Sequence, residues 1–237
     1  MHVELKIASL LLSYPFEELR NELPILKQAL AGRDTVPSGI KQPMSALIDH
    51  LASRDLMEAQ EEYVLLFDRS RALSLHLFEH VHGESRDRGQ AMVDLAIMYE
   101  NNGFVIDAKE LPDHLPLFLE FLSTQSFETV HDLLGQVSHI LKAIEEKLVK
   151  RDTPYAGLFS ALVLMSNSKP DPKLLSELRK VDDVDPNDLV ALDRVWEEEI
   201  VTFGGNAGEN SCGPDRLRTQ IRAEARKPSN VMNVLPV

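Results

Sequence analysis

Between Glu79 and Gln90 the chain reads EHVHGESRDRGQ, with two His, two Glu, one Asp and two Arg in twelve positions and Val81 as its one aliphatic residue. Side chains of these types can do three things. His80 and His82, with His76 a helical turn earlier and Glu79 or Glu84 nearby, offer nitrogen and oxygen donors to a divalent metal. Against this, HExxH is absent, and His76 and His80 share a face only if one helix runs through both, which leaves His82 elsewhere. No resident metal is therefore assigned. A nucleophilic reading would use Ser85 with His82 and Asp87, but a triad is made by spatial roles and not by closeness in sequence. GxSxG, Walker and GxGxxG motifs are all missing, so no catalytic residue is assigned. The third reading is a salt-bridged helix entrance made by Glu84, Arg86, Asp87 and Arg88. Gly83 would turn the chain, Ser85 or Asp87 would cap the helix, and the acids would complement its positive N-terminus.

A second concentrated stretch is ELPDHLPLFLEFL, residues 110–122. Pro112 suits the first turn of a helix, which would set Asp113 and His114 beside its unpaired backbone amides. Leu115, Phe118, Leu119 and Leu122 would form its buried face.

Helical periodicity positions both stretches. Val3–Tyr14 reads as an apolar helix stopped by Pro15, and the turn-rich AGRDTVPSGIKQP (31–43) reads as a loop. Asp55 and Glu58 form a capping-box pair, followed by Leu56, Ala59, Tyr63, Leu66 and Phe67 on one face. Ala91–Tyr99 is a further helix, closed by Asn101-Asn102-Gly103. Over 127–148 the apolar seam Phe127, Val130, Leu134, Val137, Leu141, Ile144, Leu148 steps by three and four, with Glu145, Glu146 and Lys147 opposite. Helices are also expected at Tyr155–Met165 and Asn187–Phe203, with a loop at 166–172 and a short helix near Asp215–Ala225. No period-two strand stands out. The expectation is an all-α single-domain bundle over 1–203, followed by a mobile C-terminal tail, 204–237.

Composition narrows the function. Hydrophobic residues at 43% supply a core, and a net charge of −13 argues against nucleic acid while suiting a cationic partner. With Cys212 alone there is no internal disulfide and no cysteine-built metal site. No apolar run reaches the roughly 18 residues a membrane span needs, and the N-terminus lacks a signal-peptide pattern, so a cytoplasmic protein is expected.

Three blocks then carry a resemblance: FDRSRALSLHLFEHVHGESRDRGQAMVDL (67–95), ELPDHLPLFLEFL (110–122) and VWEEEIVTF (195–203). In order and spacing, from LLSYP (11–15) to Phe203, the chain resembles the NarJ-type molybdenum-cofactor assembly chaperones, also called the delta chain of respiratory nitrate reductase. The resemblance implies an all-helical chaperone that is not an enzyme. Its partner would be the apo nitrate reductase alpha subunit, chiefly the N-terminal peptide, alone or with the beta subunit. It would promote molybdenum-cofactor and iron–sulfur insertion before membrane attachment, hold no cofactor of its own, and be absent from the mature enzyme. Carried over by motif, the client groove or its framework comprises Tyr63, Leu66, Phe67, Asp68 and Arg69. To these the signature run adds His80, Glu84, Arg86, Asp87, Arg88 and Gln90, and the PxDH motif adds Asp113 and His114. Arg86 and Arg88 are expected to pair internally with acids. Asp113 and Glu84 are expected to face the cationic client, with His80 and His114 as pH-sensitive neighbours. The alternatives are a metal-dependent hydrolase built on His80, His82 and His114, and a permanent scaffold subunit using the 127–148 seam.

Overall fold

Caps and turn residues cut the chain into helices largely where the periodicity places them. The computed structural model describes residues 2–69, 71–81, 86–106 and 110–181, with only the backbone of Arg86 and Asp87. Helix α1 (Val3–Leu11) ends ahead of Pro15, and α2 (Glu17–Ala31) carries Glu17 and Glu18 in its first turn, where they complement the helix dipole. Next comes α3 (Ser38–Ser53), then α4 (Leu56–Tyr63), which opens with the expected capping box. There the Glu58 amide donates to Asp55 Oδ1 at 2.8 Å, and the Asp55 amide donates to Glu58 Oε2 at 3.3 Å.

Beyond α4 the chain widens into a π-turn, Val64–Asp68, and then makes two 3-10 turns, Arg71–Leu73 and Leu77–Glu79. Helix α5 (Arg86–Asn101) closes on Gly103, whose φ of 73° is the left-handed conformation that glycine adopts without penalty. The Phe104 amide then reaches Tyr99 O and the Gly103 amide Glu100 O, the paired bonds of a Schellman close. Helices α6 (Leu115–Thr124), α7 (Phe127–Lys150), α8 (Tyr155–Ser166) and α9 (Pro172–Leu178) complete the described order. Ser126 and Asp171 cap α7 and α9 through their side-chain oxygens.

Three expectations are corrected here. The loop at 31–43 shrinks to 32–37, because α3 already begins at Ser38 and runs through Pro43. Burial of Ile40, Met44, Leu47, Ile48 and Leu51 along one stripe outweighs the hydrogen bond that proline cannot donate. Pro112 does not start a helix. Pro116 takes the first-turn position of α6; Pro112 and Asp113 lie in a turn closed by the His114 amide on Leu111 O at 3.0 Å, and His114 is extended. On α7, Phe127 is 67% exposed, so the core-facing seam begins at Val130; Lys147, expected on the outer surface, is buried. Its aliphatic stem packs inward while Nζ donates to Val181 O at 3.4 Å, just past α9.

Helix α7 packs on α8, α8 on α3, and α1 on α6. The all-α class holds: among the described residues no strand occurs, only a single antiparallel bridge between His76 and His114. These residues all lie in one compact unit. The expected boundary at 203, the tail and the helices at 187–203 and 215–225 lie outside the described residues.

The α3–α8 contact is close because Gly157 faces Pro43. A Cβ built on Gly157 would sit 2.9 Å from Pro43 Cβ and 3.5 Å from its Cα. A rigid ring backed by helix cannot swing aside, so Gly157→Ala is expected to lower stability by about 1–3 kcal/mol. The midpoint of urea unfolding checks it, and an unchanged midpoint would show that the two helices separate freely.

Candidate functional site

Segments that are distant in sequence enclose a groove of about 550 Å³. One wall comes from α1 and the turn after it, with Ser9, Ser13, Tyr14 and Phe16. Tyr63 and Asp68 line it from the α4 end and the π-turn, while Pro116, Leu117 and Glu120 come from α6. His76, Glu110 and His114 close it at the chain crossing. Ser9 Oγ donates to Pro116 O at 2.7 Å, and Lys6 pairs with Glu120, so α1 and α6 are tied along the groove.

The π-turn decides which side chains face out. The Arg69 amide bonds Val64 O at 3.2 Å, the i→i+5 spacing that inserts an extra residue into the turn. Leu66 and Phe67 thereby point into the core, and Asp68 reaches the groove. Beneath it runs an aromatic ladder, Tyr14–Tyr63–Phe67–Tyr155, with neighbouring ring centroids 5.6, 5.1 and 5.1 Å apart. The Tyr63 hydroxyl donates to Leu12 O at 3.0 Å. Burial raises the Tyr63 phenol pKa, and the Asp68 and Glu110 charges raise it further. The Asp68 carboxyl is also held above its ordinary value, by burial first and Glu110 second, with His76 opposing.

Asp113 is a bracket. It is fully buried: Oδ2 accepts from the Phe78 amide at 3.0 Å and Oδ1 bonds His76 Nδ1 at 3.2 Å. Backbone bonds flank it, from the Leu77 amide to Asp113 O at 3.0 Å and from the Leu115 amide to Leu75 O at 2.8 Å. The expectation that Asp113 faces a cationic client is therefore corrected. Its two oxygens are turned to the 76–78 segment, which needs an acceptor for the amide that opens the 3-10 turn.

The imidazoles divide by environment. Asp113 raises His76, chiefly through their hydrogen bond, against the cost of burial. His80 is lowered by burial, with Nε2 bonded to Ser74 O at 2.8 Å. His114, whose ring lies 5.2 Å from that of His76, is lowered by burial and then by His76. His76 and His80 thus turn to separate partners. Among the described residues no three His, Cys, Asp or Glu side chains gather to hold one.

A depressed histidine favours the neutral fold. The stability it contributes is present above the unfolded value of 6.5 and is lost as pH falls through the folded one. His80→Gln should therefore flatten the fall in thermal stability between about pH 7.5 and about pH 5.5. His76 has the opposite sign. Its pKa is raised, so its contribution is present below 6.5 and fades as pH rises, and His76→Gln should steepen the acid loss. Identical slopes in both variants would refute the assignment.

Of the residues carried over from motif, Tyr63, Asp68 and His114 line the groove. Leu66, Phe67 and Asp113 support it from beneath, and His80 fixes the turn at Ser74. Arg88 pairs with Glu79 at 3.3 Å, the internal pairing expected of it. Gln90 is exposed and bonds Asp94, and exposed Arg69 does not line the groove. Glu84 and His82, with the side chains of Arg86 and Asp87, lie outside the described residues. Sequence reading missed Tyr14, Phe16, His76, Glu110, Leu117 and Glu120 as lining residues. The available signal was SYPF, two aromatics around a proline just past a helix end.

The site is an apolar and acidic groove in a helical bundle, and comparison with known proteins shows the family it belongs to. Residues 33–161 match the nitrate reductase delta subunit family. Over 220 residues, 93% of this chain and 92% of the relative, it is 39% identical to the nitrate reductase molybdenum cofactor assembly chaperone NarJ of Escherichia coli K12. It is 42% identical over 201 residues, 84% of this chain and 83% of the relative, to the probable assembly chaperone NarW of the same strain. The fold is shared with a putative redox enzyme maturation protein from Archaeoglobus fulgidus, with a TM-score of 0.51 and 24% identity over 71% of this chain and 94% of that one. The chain belongs to the nitrate reductase delta subunit family, whose members are assembly chaperones and not catalysts.

Proposed function

We propose that this chaperone acts on a respiratory nitrate reductase in the cytoplasm, capturing the N-terminal segment of the apo alpha subunit, alone or with the beta subunit. While held, the client receives molybdenum cofactor and iron–sulfur clusters; it is then released for membrane attachment, and the chaperone is absent from the finished enzyme. The observation that carries this reading is the groove itself. Tyr14 and Phe16 stand 47% and 42% exposed at its edge, beside the carboxylates of Asp68 and Glu110. Exposed aromatics beside acids suit a basic, amphipathic peptide that lays its apolar face in the groove. The net charge of −13 favours its encounter, and apolar contact retains it. Among the described residues no helix is long and apolar enough to cross a membrane.

Calorimetric titration with a synthetic peptide of the client's N-terminal segment tests the proposal. Saturable one-to-one binding, absent with the scrambled peptide, is expected. Phe16→Ala, a change at an exposed position, should weaken it by about tenfold. A folded protein that ignores the peptide, or a Phe16→Ala variant that binds it unchanged, would remove the groove as the capture site.

A further inference from the structure

Resting on that client-peptide reading, we infer that Asp68 and Glu110 together form the seat for one cationic side chain of the bound segment and set the selectivity of the groove for a basic residue. Three carboxylates line the groove, and they are not equivalent. Glu120 is already satisfied by Lys6. Among the described residues no Lys or Arg pairs with Asp68 or Glu110, although the charge of Glu110 is felt at Asp68.

Tyr63 and His76 on the groove wall are committed elsewhere. Tyr63 spends its hydroxyl proton on Leu12 O, and His76 is bonded to the buried carboxylate of Asp113. His114 is held toward its neutral form by burial and by His76. Two like charges from separate elements therefore line one groove; the His76 imidazole, itself bonded to Asp113, offsets Asp68 in part, and among the described residues no Lys or Arg pairs with either acid. A guanidinium or ammonium entering there relieves their repulsion and accepts hydrogen bonding from neither; it donates to both. The apolar neighbours, Phe16 and Leu117, partly exclude water and so strengthen that attraction.

A double-mutant cycle reads this out. The full-length protein and its Asp68→Asn/Glu110→Gln double variant are each titrated with the N-terminal client peptide. The peptide series replaces each arginine by citrulline, or each lysine by acetyl-lysine, one at a time, and includes an N-acetylated peptide. For one basic position, neutralisation should weaken binding to the unsubstituted protein by about tenfold, but to the double variant by less than about twofold. Equal losses with both proteins at every position would overturn the inference while leaving capture in the groove intact. Loss of the coupling on N-acetylation alone would assign the acids to the terminal amine and overturn it as well. If the unsubstituted protein binds no peptide, the capture reading fails and takes this inference with it. A urea midpoint of the double variant at or above that of the parent confirms that the effect is not misfolding.

Discussion

Asp113→Ala is expected to lower stability by about 3 kcal/mol and to abolish measurable peptide capture, although the side chain touches no client. The carboxylate is fully buried and holds the Phe78 amide and the His76 ring. Truncation leaves that amide without an acceptor and a half-buried imidazole without its counter-charge. A lost charge-assisted hydrogen bond together with a stranded donor accounts for the magnitude. Because the same carboxylate pins 76–78 to 113–115, the wall carrying His76 and His114 loses its register as well. Asp113→Asn separates the two effects. Its side-chain oxygen can still accept from Phe78, so about half the stability should return. The raised His76 pKa should return to its ordinary range, which NMR titration of the imidazole would show. A stable Asp113→Ala protein that still captures peptide would reduce the bracket to a bystander.

Phe121→Ala is expected to be at least as damaging, at about 3–5 kcal/mol. Phe121 is wholly buried on α6 and meets Tyr99 and Phe104, with centroids 4.6 and 5.7 Å away. This trio joins the end of α5 to α6. Through the Tyr99 hydroxyl, which donates to Pro112 O at 2.8 Å, it also holds the turn that carries Asp113. Loss of the ring leaves a cavity under the segment that presents His114 to the groove. Phe121→Leu keeps most of the volume and should cost only about 1–1.5 kcal/mol. Urea midpoints at constant m-value would rank the pair. If alanine and leucine cost the same, the ring packing is not what holds this corner.

The sequence alone determined part of the local structure. Periodicity located α1, α4, α5, α7 and α8, because an amphipathic stripe has only one way to be buried on a helix. Asp55 with Glu58, and Gly103 after Asn101-Asn102, set helix ends through contacts that span a few residues. The acidic balance and the motif blocks pointed to a cationic partner and a family before any contact was known.

Tertiary structure decided everything that depends on meeting a distant neighbour. Pro43 stays within α3 because its stripe is buried and Gly157 makes room for its ring. Lys147 turns inward because α9 ends beside it. Asp113 reads in sequence as a charge at a helix start, yet its partners lie 35 and 37 residues earlier at Phe78 and His76. The groove itself exists only where α1 meets α6 and the π-turn. Tyr14, Asp68 and the 110–122 block lie in separate stretches of sequence with no common period, so folding alone brings them to one groove.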